Sequence, residues 1–187
     1  MEPETDEALL QRVAVRDEAA FGMLYDRFSG PLYGLTKRIL EDEQDARDIV
    51  QEGFLYLWNK AHAYDPVRSK AFTWAVVIFR NKAIDRLRAL RRRGQLTENA
   101  TAEFLVTDRS SPERADHAAD HAERAAMVRG VISSLPEEQR QCIELAFFKG
   151  LTHHQLAEQL QTPLGTIKTH IRRGLTRMRD LMKGEES

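Results

Sequence analysis

Lys168, Thr169, Arg172, Arg173, Thr176 and Arg177 recur at three- and four-residue intervals, and the stretch from Gln161 to Arg179 that holds them contains no acid. On a helix that spacing gathers cations and hydroxyls away from the apolar side. Such a face neutralises phosphates, and its first turns, with Thr166, reach base edges. The chain contains no Gly-rich phosphate loop, zinc cluster or nucleophile motif. The chemistry on offer is therefore recognition of a polyanion, without bond-making and without a cofactor.

The elements that must carry this face are legible around it. Thr152 followed by Gln155 forms a capping box, in which each side chain satisfies the other residue's backbone N–H. Leu156, Ala157 and Leu160 follow at helical spacing. Thr162 is positioned to cap a second helix, with Pro163 at its first position, where a missing N–H costs nothing. Leu164, Ile167, Ile171, Leu175 and Met178 form its apolar stripe. A short supporting helix, a tight turn and a second helix with a basic outer face make a helix-turn-helix plan, for which DNA is the natural ligand; an ordinary helical hairpin with a solvated basic face is the plainer alternative.

A second basic block spans residues 66–95: Arg68, Lys70, Arg80, Lys82, Arg86, Arg88, Arg91, Arg92 and Arg93 stand against the lone Asp85. HAYDPVRSK (62–70) reads as a loop, since Asp65-Pro66 disfavours helix at the aspartate. After it, Phe72, Val76, Phe79, Ala83, Leu87 and Leu90 share an apolar stripe that Gly94 is expected to end. Trp74, Ile78, Asn81, Asp85, Arg88 and Arg92 lie opposite. Cations and amides beside aromatic rings suit single-stranded DNA; packing of Trp74 and Ile78 against another helix is the plainer reading.

Before this block, Ala46, Ile49, Val50, Phe54, Leu57 and Ala61 face one way on a helix. Asp45, Asp48, Gln51, Glu52 and Leu55 lie off that stripe. Acids early in a helix complement its dipole, and they equally suit a basic partner helix; periodicity alone leaves both readings open. Further upstream, Asp17 caps a helix on which Phe21, Leu24, Tyr25 and Phe28 share a face. Ser29-Gly30-Pro31 is expected to interrupt or kink it before Leu32, Leu35 and Ile39 continue the stripe.

With 187 residues, 42% hydrophobic and 30% charged, the chain has room for one medium domain or two small ones. Its net charge of −1 hides two basic blocks separated by acidic segments, an arrangement that predicts two contacts with one polyanion. The opening MEPETDEALL has no basic or apolar signal region, and no run spans a bilayer, so a cytoplasmic protein without membrane insertion is expected. Residues 95–120 are polar and acidic and read as linker. His117 and His121 are four apart beside Asp116 and Asp120, a spacing that holds metals but is commonly solvated in a polar linker. Cys142, the one cysteine, falls in apolar QCIELAFF and reads as a buried, inert thiol.

Three segments in order resemble one family. DARDIVQEGFLYLW, YDPVRSKAFTWAVVIFRNKAIDRLR and SLPEEQRQCIELAFFKGLTHHQLAEQLQTPLGTIKTHIRRGLTRMR are similar to the conserved segments of bacterial extracytoplasmic-function sigma factors, the smallest of the sigma-70 class. Gly53 in the first segment and AVVIF before Arg80-Asn81 depart slightly from the pattern. The resemblance implies an all-α chain: sigma domain two over 1–95, an acidic linker over 96–125 in place of the absent third sigma domain, and helix-turn-helix sigma domain four over 126–187. It implies that Asp45, Asp48, Gln51, Glu52 and Leu55 dock on the clamp helices of the largest RNA polymerase subunit. Tyr64, Asp65, Val67, Arg68 and Ser69 would receive a flipped base of the −10 element, with Asn81 and Arg88 holding the strand. Thr166, Lys168, Thr169, Arg172, Arg173 and Arg177 would contact the −35 element. Implied partners are core polymerase, including the flap of the second-largest subunit, promoter DNA and an anti-sigma factor, with stress response as the setting.

Overall fold

The computed structural model describes residues 4–97 and 130–184, and every regular element among them is helical. The chain divides into two compact units. In the first, α1 (Asp6–Ala14) is capped by Thr5, whose hydroxyl accepts from the Ala8 N–H at 3.2 Å. It ends on Arg16 at φ 69°, where the Arg16 and Asp17 amides reach back to Val13 (2.9 Å) and Arg12 (3.2 Å). This pair of bonds makes a Schellman stop with arginine at the usual glycine position. Asp17 then caps α2 (Glu18–Leu40) through the Ala20 N–H at 3.0 Å, and its other carboxylate oxygen takes two bonds from Arg12, at 2.9 and 2.7 Å.

The expected interruption at Ser29-Gly30-Pro31 does not occur: α2 runs unbroken past Pro31. Phe28 and Leu32 on either side are buried, and Thr36 is buried with its hydroxyl donating to the Leu32 carbonyl at 3.1 Å. Tertiary burial thus outweighs the missing N–H of one proline. Left-handed Glu41 (φ 62°) ends α2, and Asp42 caps α3 (Glu43–Lys60) through the Asp45 N–H at 2.8 Å. A 3-10 turn at Ala61–Ala63 and a loop lead to α4 (Ala71–Thr97). Gly94 does not end α4. A single glycine costs only about 1 kcal/mol within a helix, and the helix continues through it to Thr97.

The predicted stripe of α3 is buried in full. That of α4 is rotated. Ala71, Ala75, Phe79, Ala83 and Ile84 are buried, while the expected Phe72, Val76, Leu87 and Leu90 are half-buried. Small alanines let α4 close against α2 and α3, placing Phe72 and Val76 on one edge and Trp74 and Ile78 on the other. Gly53 serves the same closeness: a Cβ there would stand 2.5 Å from a Phe79 ring carbon. Glycine in α3 is therefore a packing requirement. Phe54 meets Phe79 edge-on at 5.1 Å and Phe21 at 6.0 Å, joining α2, α3 and α4.

In the second unit, helical residues 130–133 turn into α5 (Glu137–Phe148), whose first bond runs from Arg140 N–H to the Pro136 carbonyl at 2.9 Å. Gly150 at φ 64° follows its end. Next come α6 (His153–Gln159) and α7 (Leu164–Gly184). Cys142, Leu156 and Ile167 form their shared core, ringed by Leu145, Leu151, Leu160 and Ile171. Burial pushes the Cys142 thiol up, away from thiolate.

Candidate nucleic-acid interface

The Thr152 capping box forms as expected: Thr152 N–H donates to Gln155 Oε1 at 2.9 Å, and Gln155 N–H to Thr152 Oγ1 at 3.3 Å. The turn after α6 was not legible. Gln161 is left-handed at φ 49°, Thr162 N–H donates to the Ala157 carbonyl at 3.0 Å, and Gln161 N–H to Glu158 at 3.3 Å. This is again a Schellman stop. It overturns the expected cap. With its N–H drawn into the turn, Thr162 donates its hydroxyl back to the Leu160 carbonyl at 3.0 Å. Pro163 takes the capping position instead, its carbonyl accepting from Ile167 at 3.1 Å.

Along α7, Ile167 is buried and Leu164, Ile171 and Met178 half-buried, but Leu175 is 50% exposed. Gly174 holds the inward position in its place, where a Cβ would stand 2.5 Å from the Ile143 side chain. The stripe bends toward the smaller residue because α5 approaches there. Thr166, Lys168, Thr169, Arg172, Arg173 and Arg177 are all exposed on the remaining surface. Thr169 Oγ1 donates to the Gly165 carbonyl at 2.9 Å, which leaves its oxygen facing outward as an acceptor.

In the first unit, the loop before α4 is a pinned turn. Asp65 Oδ1 accepts from the Val67 N–H at 3.0 Å, and the Asp65 carbonyl from the Arg68 N–H at 3.1 Å. Val67, 92% exposed, and exposed Arg68 form the tip. Tyr64 and Ser69 are placed differently. The Tyr64 ring packs 5.6 Å from Trp74, its hydroxyl donates to the Ser69 carbonyl at 2.8 Å, and burial followed by the charges of Glu7 and Asp65 raises its pKa. These two residues brace the loop. Asn81 and Arg88 are exposed on α4; Asn81 Oδ1 accepts from Arg80 at 3.3 Å, and Arg88 lies 3.9 Å from Asp85. Trp74 and Ile78 are half-buried against the core, as the plainer reading expected.

The acidic surface of α3 separates into two parts. Gln51, Glu52 and Leu55 are exposed, Leu55 at 63%, and half-buried Asp48 accepts from the Gln44 amide at 3.0 Å. Glu52 lies 3.5 Å from Lys82, whose ammonium sits 5.5 Å above the Tyr56 ring. Asp45 is turned inward, its side chain 16% exposed, and accepts from Arg86 Nε at 2.8 Å. It joins α3 to α4 and stands apart from the outer four.

Sequence reading missed Glu7, whose carboxylate on α1 accepts from the Ala71 N–H at 3.1 Å and so caps α4 from a distant element. No local pattern announces such a cap. Among the described residues no His, Cys, Asp or Glu cluster is arranged for a metal, and His117 and His121 lie outside them. No described helix is long and apolar enough to cross a membrane.

The family model for sigma-70 region 2 matches residues 24–93, and that for sigma-70 region 4 matches residues 131–180. The ECF RNA polymerase sigma factor SigK of Mycolicibacterium vanbaalenii is 35% identical over 92% of this chain and 87% of its own. The ECF RNA polymerase sigma factor RpoE of Cereibacter sphaeroides is 38% identical over 89% of this chain and 88% of its own. Among solved structures, Rhodobacter sphaeroides SigE in complex with the anti-sigma ChrR is 32% identical, covering 94% of this chain and 97% of that one, with a TM-score of 0.45.

Proposed function

The chain belongs to the extracytoplasmic-function group of sigma-70 RNA polymerase sigma factors, and on that premise we propose how its surfaces divide the work. It directs core polymerase to specific promoters and starts transcription there. The outer face of α3, formed by Asp48, Gln51, Glu52 and Leu55, docks on the clamp helices of the largest subunit. Asp45 holds that face in register with α4. The tip formed by Val67 and Arg68 engages the −10 element, Asp65, Tyr64 and Ser69 shape it, and Asn81 and Arg88 hold the separated strand. The basic face of α7 enters the major groove of the −35 element through Thr166, Lys168, Thr169, Arg172, Arg173 and Arg177.

Domain two spans 1–95, domain four 126–187, and 96–125 links them. The chain catalyses no reaction of its own, acts in the cytoplasm where core polymerase works, and is held inactive by an anti-sigma factor that covers its exposed basic faces. Domain four also meets the flap of the second-largest subunit.

The observation that carries this reading is the exposure of six polar and basic residues on one side of α7 while Ile167 anchors the other. Footprinting of the holoenzyme on a promoter it opens provides the test. Arg172→Ala and Arg173→Ala should remove protection at the −35 element. Arg68→Ala should instead reduce permanganate-reactive thymines at the −10 element. Unaltered footprints with all three would refute the assignment.

A further inference from the structure

The loop that precedes α4 is fastened at both ends. At its start the Tyr64 ring packs on Trp74, and the Tyr64 hydroxyl bonds across the loop to the Ser69 carbonyl at 2.8 Å. At its end, the Ala71 N–H donates to Glu7 Oε1 at 3.1 Å. Helix α4 has no cap of its own, because Lys70 stands at the capping position and its side chain has no acceptor. Glu7 supplies one from α1, which Leu9, Leu10 and Val13 anchor in the core. Between the two fastenings Asp65, Pro66, Val67, Arg68 and Lys70 are exposed, with Val67 and Arg68 at the tip of the turn.

We propose that Glu7 is a positioning residue for strand opening: by capping α4 from α1 it fixes the end of the Tyr64–Ser69 loop, so that the Val67–Arg68 tip meets DNA already ordered. The inference rests on the reading that this loop engages the −10 element. Capture of an extruded base must offset a few kcal/mol of unstacking and unpairing. A loop that must also be ordered on binding has less binding energy left for that purpose. The carboxylate touches no DNA in this scheme, and its negative charge beside a DNA-facing loop would weakly oppose phosphate. The bond it accepts, rather than its charge, is what the proposal requires. Glutamine, which retains an acceptor oxygen, should therefore serve in its place.

Holoenzyme carrying full-length Glu7→Ala, Glu7→Gln or Arg68→Ala is compared on a duplex promoter and on the same promoter mismatched across the −10 element, with core polymerase affinity measured in parallel. Glu7→Ala should slow open-complex formation on duplex by up to roughly tenfold, the order of one hydrogen bond. It should do much less on the mismatched template and leave core affinity unchanged, and Glu7→Gln should restore the duplex rate. Should the alanine chain fail to fold, Glu7→Asp, which withdraws the carboxylate by one methylene, is expected to show the same duplex-selective loss. A duplex-selective loss with Arg68→Ala but not with the Glu7 variants, or an equal Glu7 loss on both templates, would overturn the inference and leave the loop's role standing. If Arg68→Ala also shows no duplex-selective loss, the loop reading fails and the inference fails with it.

Discussion

Asp45 on α3 and Arg86 on α4 are 41 residues apart and form a hydrogen-bonded ion pair, Arg86 Nε reaching Asp45 Oδ1 at 2.8 Å with the aspartate side chain 16% exposed. Asp45 is thus committed to the fold, while half-buried Asp48 and exposed Glu52 make only surface contacts, Asp48 with Gln44 and Glu52 at 3.5 Å from Lys82. The two groups should behave differently. Asp45→Ala should lower unfolding stability by about 1–2 kcal/mol, since it leaves a part-buried guanidinium without its partner. Asp48→Lys with Glu52→Lys should leave the urea midpoint near that of the parent chain and abolish co-purification with core polymerase. Reversed behaviour of the two sets would place the docking surface elsewhere.

Gly53 has the Phe79 ring over its α-carbon, and an added Cβ would lie 2.5–2.7 Å from three ring carbons. Phe79 is fully buried and has nowhere to withdraw. Gly53→Ala gains about 1 kcal/mol in helix propensity but overpacks the core, which costs about 1–3 kcal/mol. Net destabilisation is expected in urea unfolding. In a Phe79→Leu background the same change should be neutral or stabilising, a double-mutant coupling that distinguishes the clash from a general intolerance.

The Glu7 carboxyl is held below its ordinary value of 4.5, first by the Ala71 N–H and also by the charge of Lys70, with burial opposing. A depressed carboxyl stabilises the fold above its unfolded pKa, and that contribution is lost as pH falls through the folded one. Stability of the parent chain should therefore decline on acidification below the ordinary carboxyl range. Glu7→Gln should flatten that part of the urea-midpoint profile, lying slightly below the parent at neutral pH and converging with it in acid. Parallel profiles for the two chains would show that the bond contributes nothing.

On α7, each of Lys168, Arg172, Arg173 and Arg177 that contacts a phosphate should contribute about 0.9 to the slope of log affinity against log salt. Single alanine changes at these positions should lower that slope by about this amount for a phosphate contact. A base contact should instead lose about 1–3 kcal/mol selectively at one promoter position. Titrations of holoenzyme on promoter DNA over a range of salt separate the two kinds of contact. An unchanged slope and affinity for all four would exclude α7 as the duplex-reading element.

What the sequence reveals follows the range of the interaction. The Thr152–Gln155 box and the α3 stripe are legible because their partners lie within a turn or recur with the helical period. The errors at Pro31 and Gly94 come from local breaking rules that burial or helix continuation overrides. Periodicity points Leu175 inward because it weighs apolarity and is blind to the close approach of α5, which admits only Gly174. Glu7 and Ala71, 64 residues apart, and Asp45 and Arg86 have no shared pattern to read. The outer residues of α7 were found because exposure there is simply what the stripe leaves over.

That this chain gives core polymerase its promoter choice is tested by mapping transcript starts. Purified core polymerase is incubated with pooled genomic fragments of the source bacterium, with and without the chain, and transcript 5′ ends are mapped. A small set of discrete start sites is expected that appear only with the chain and share two spaced sequence elements. Those sites should be lost when Arg172 and Arg173 are replaced by alanine. Transcription from the same sites by core polymerase without the chain, or DNA binding by the chain with no chain-dependent start sites, would contradict it.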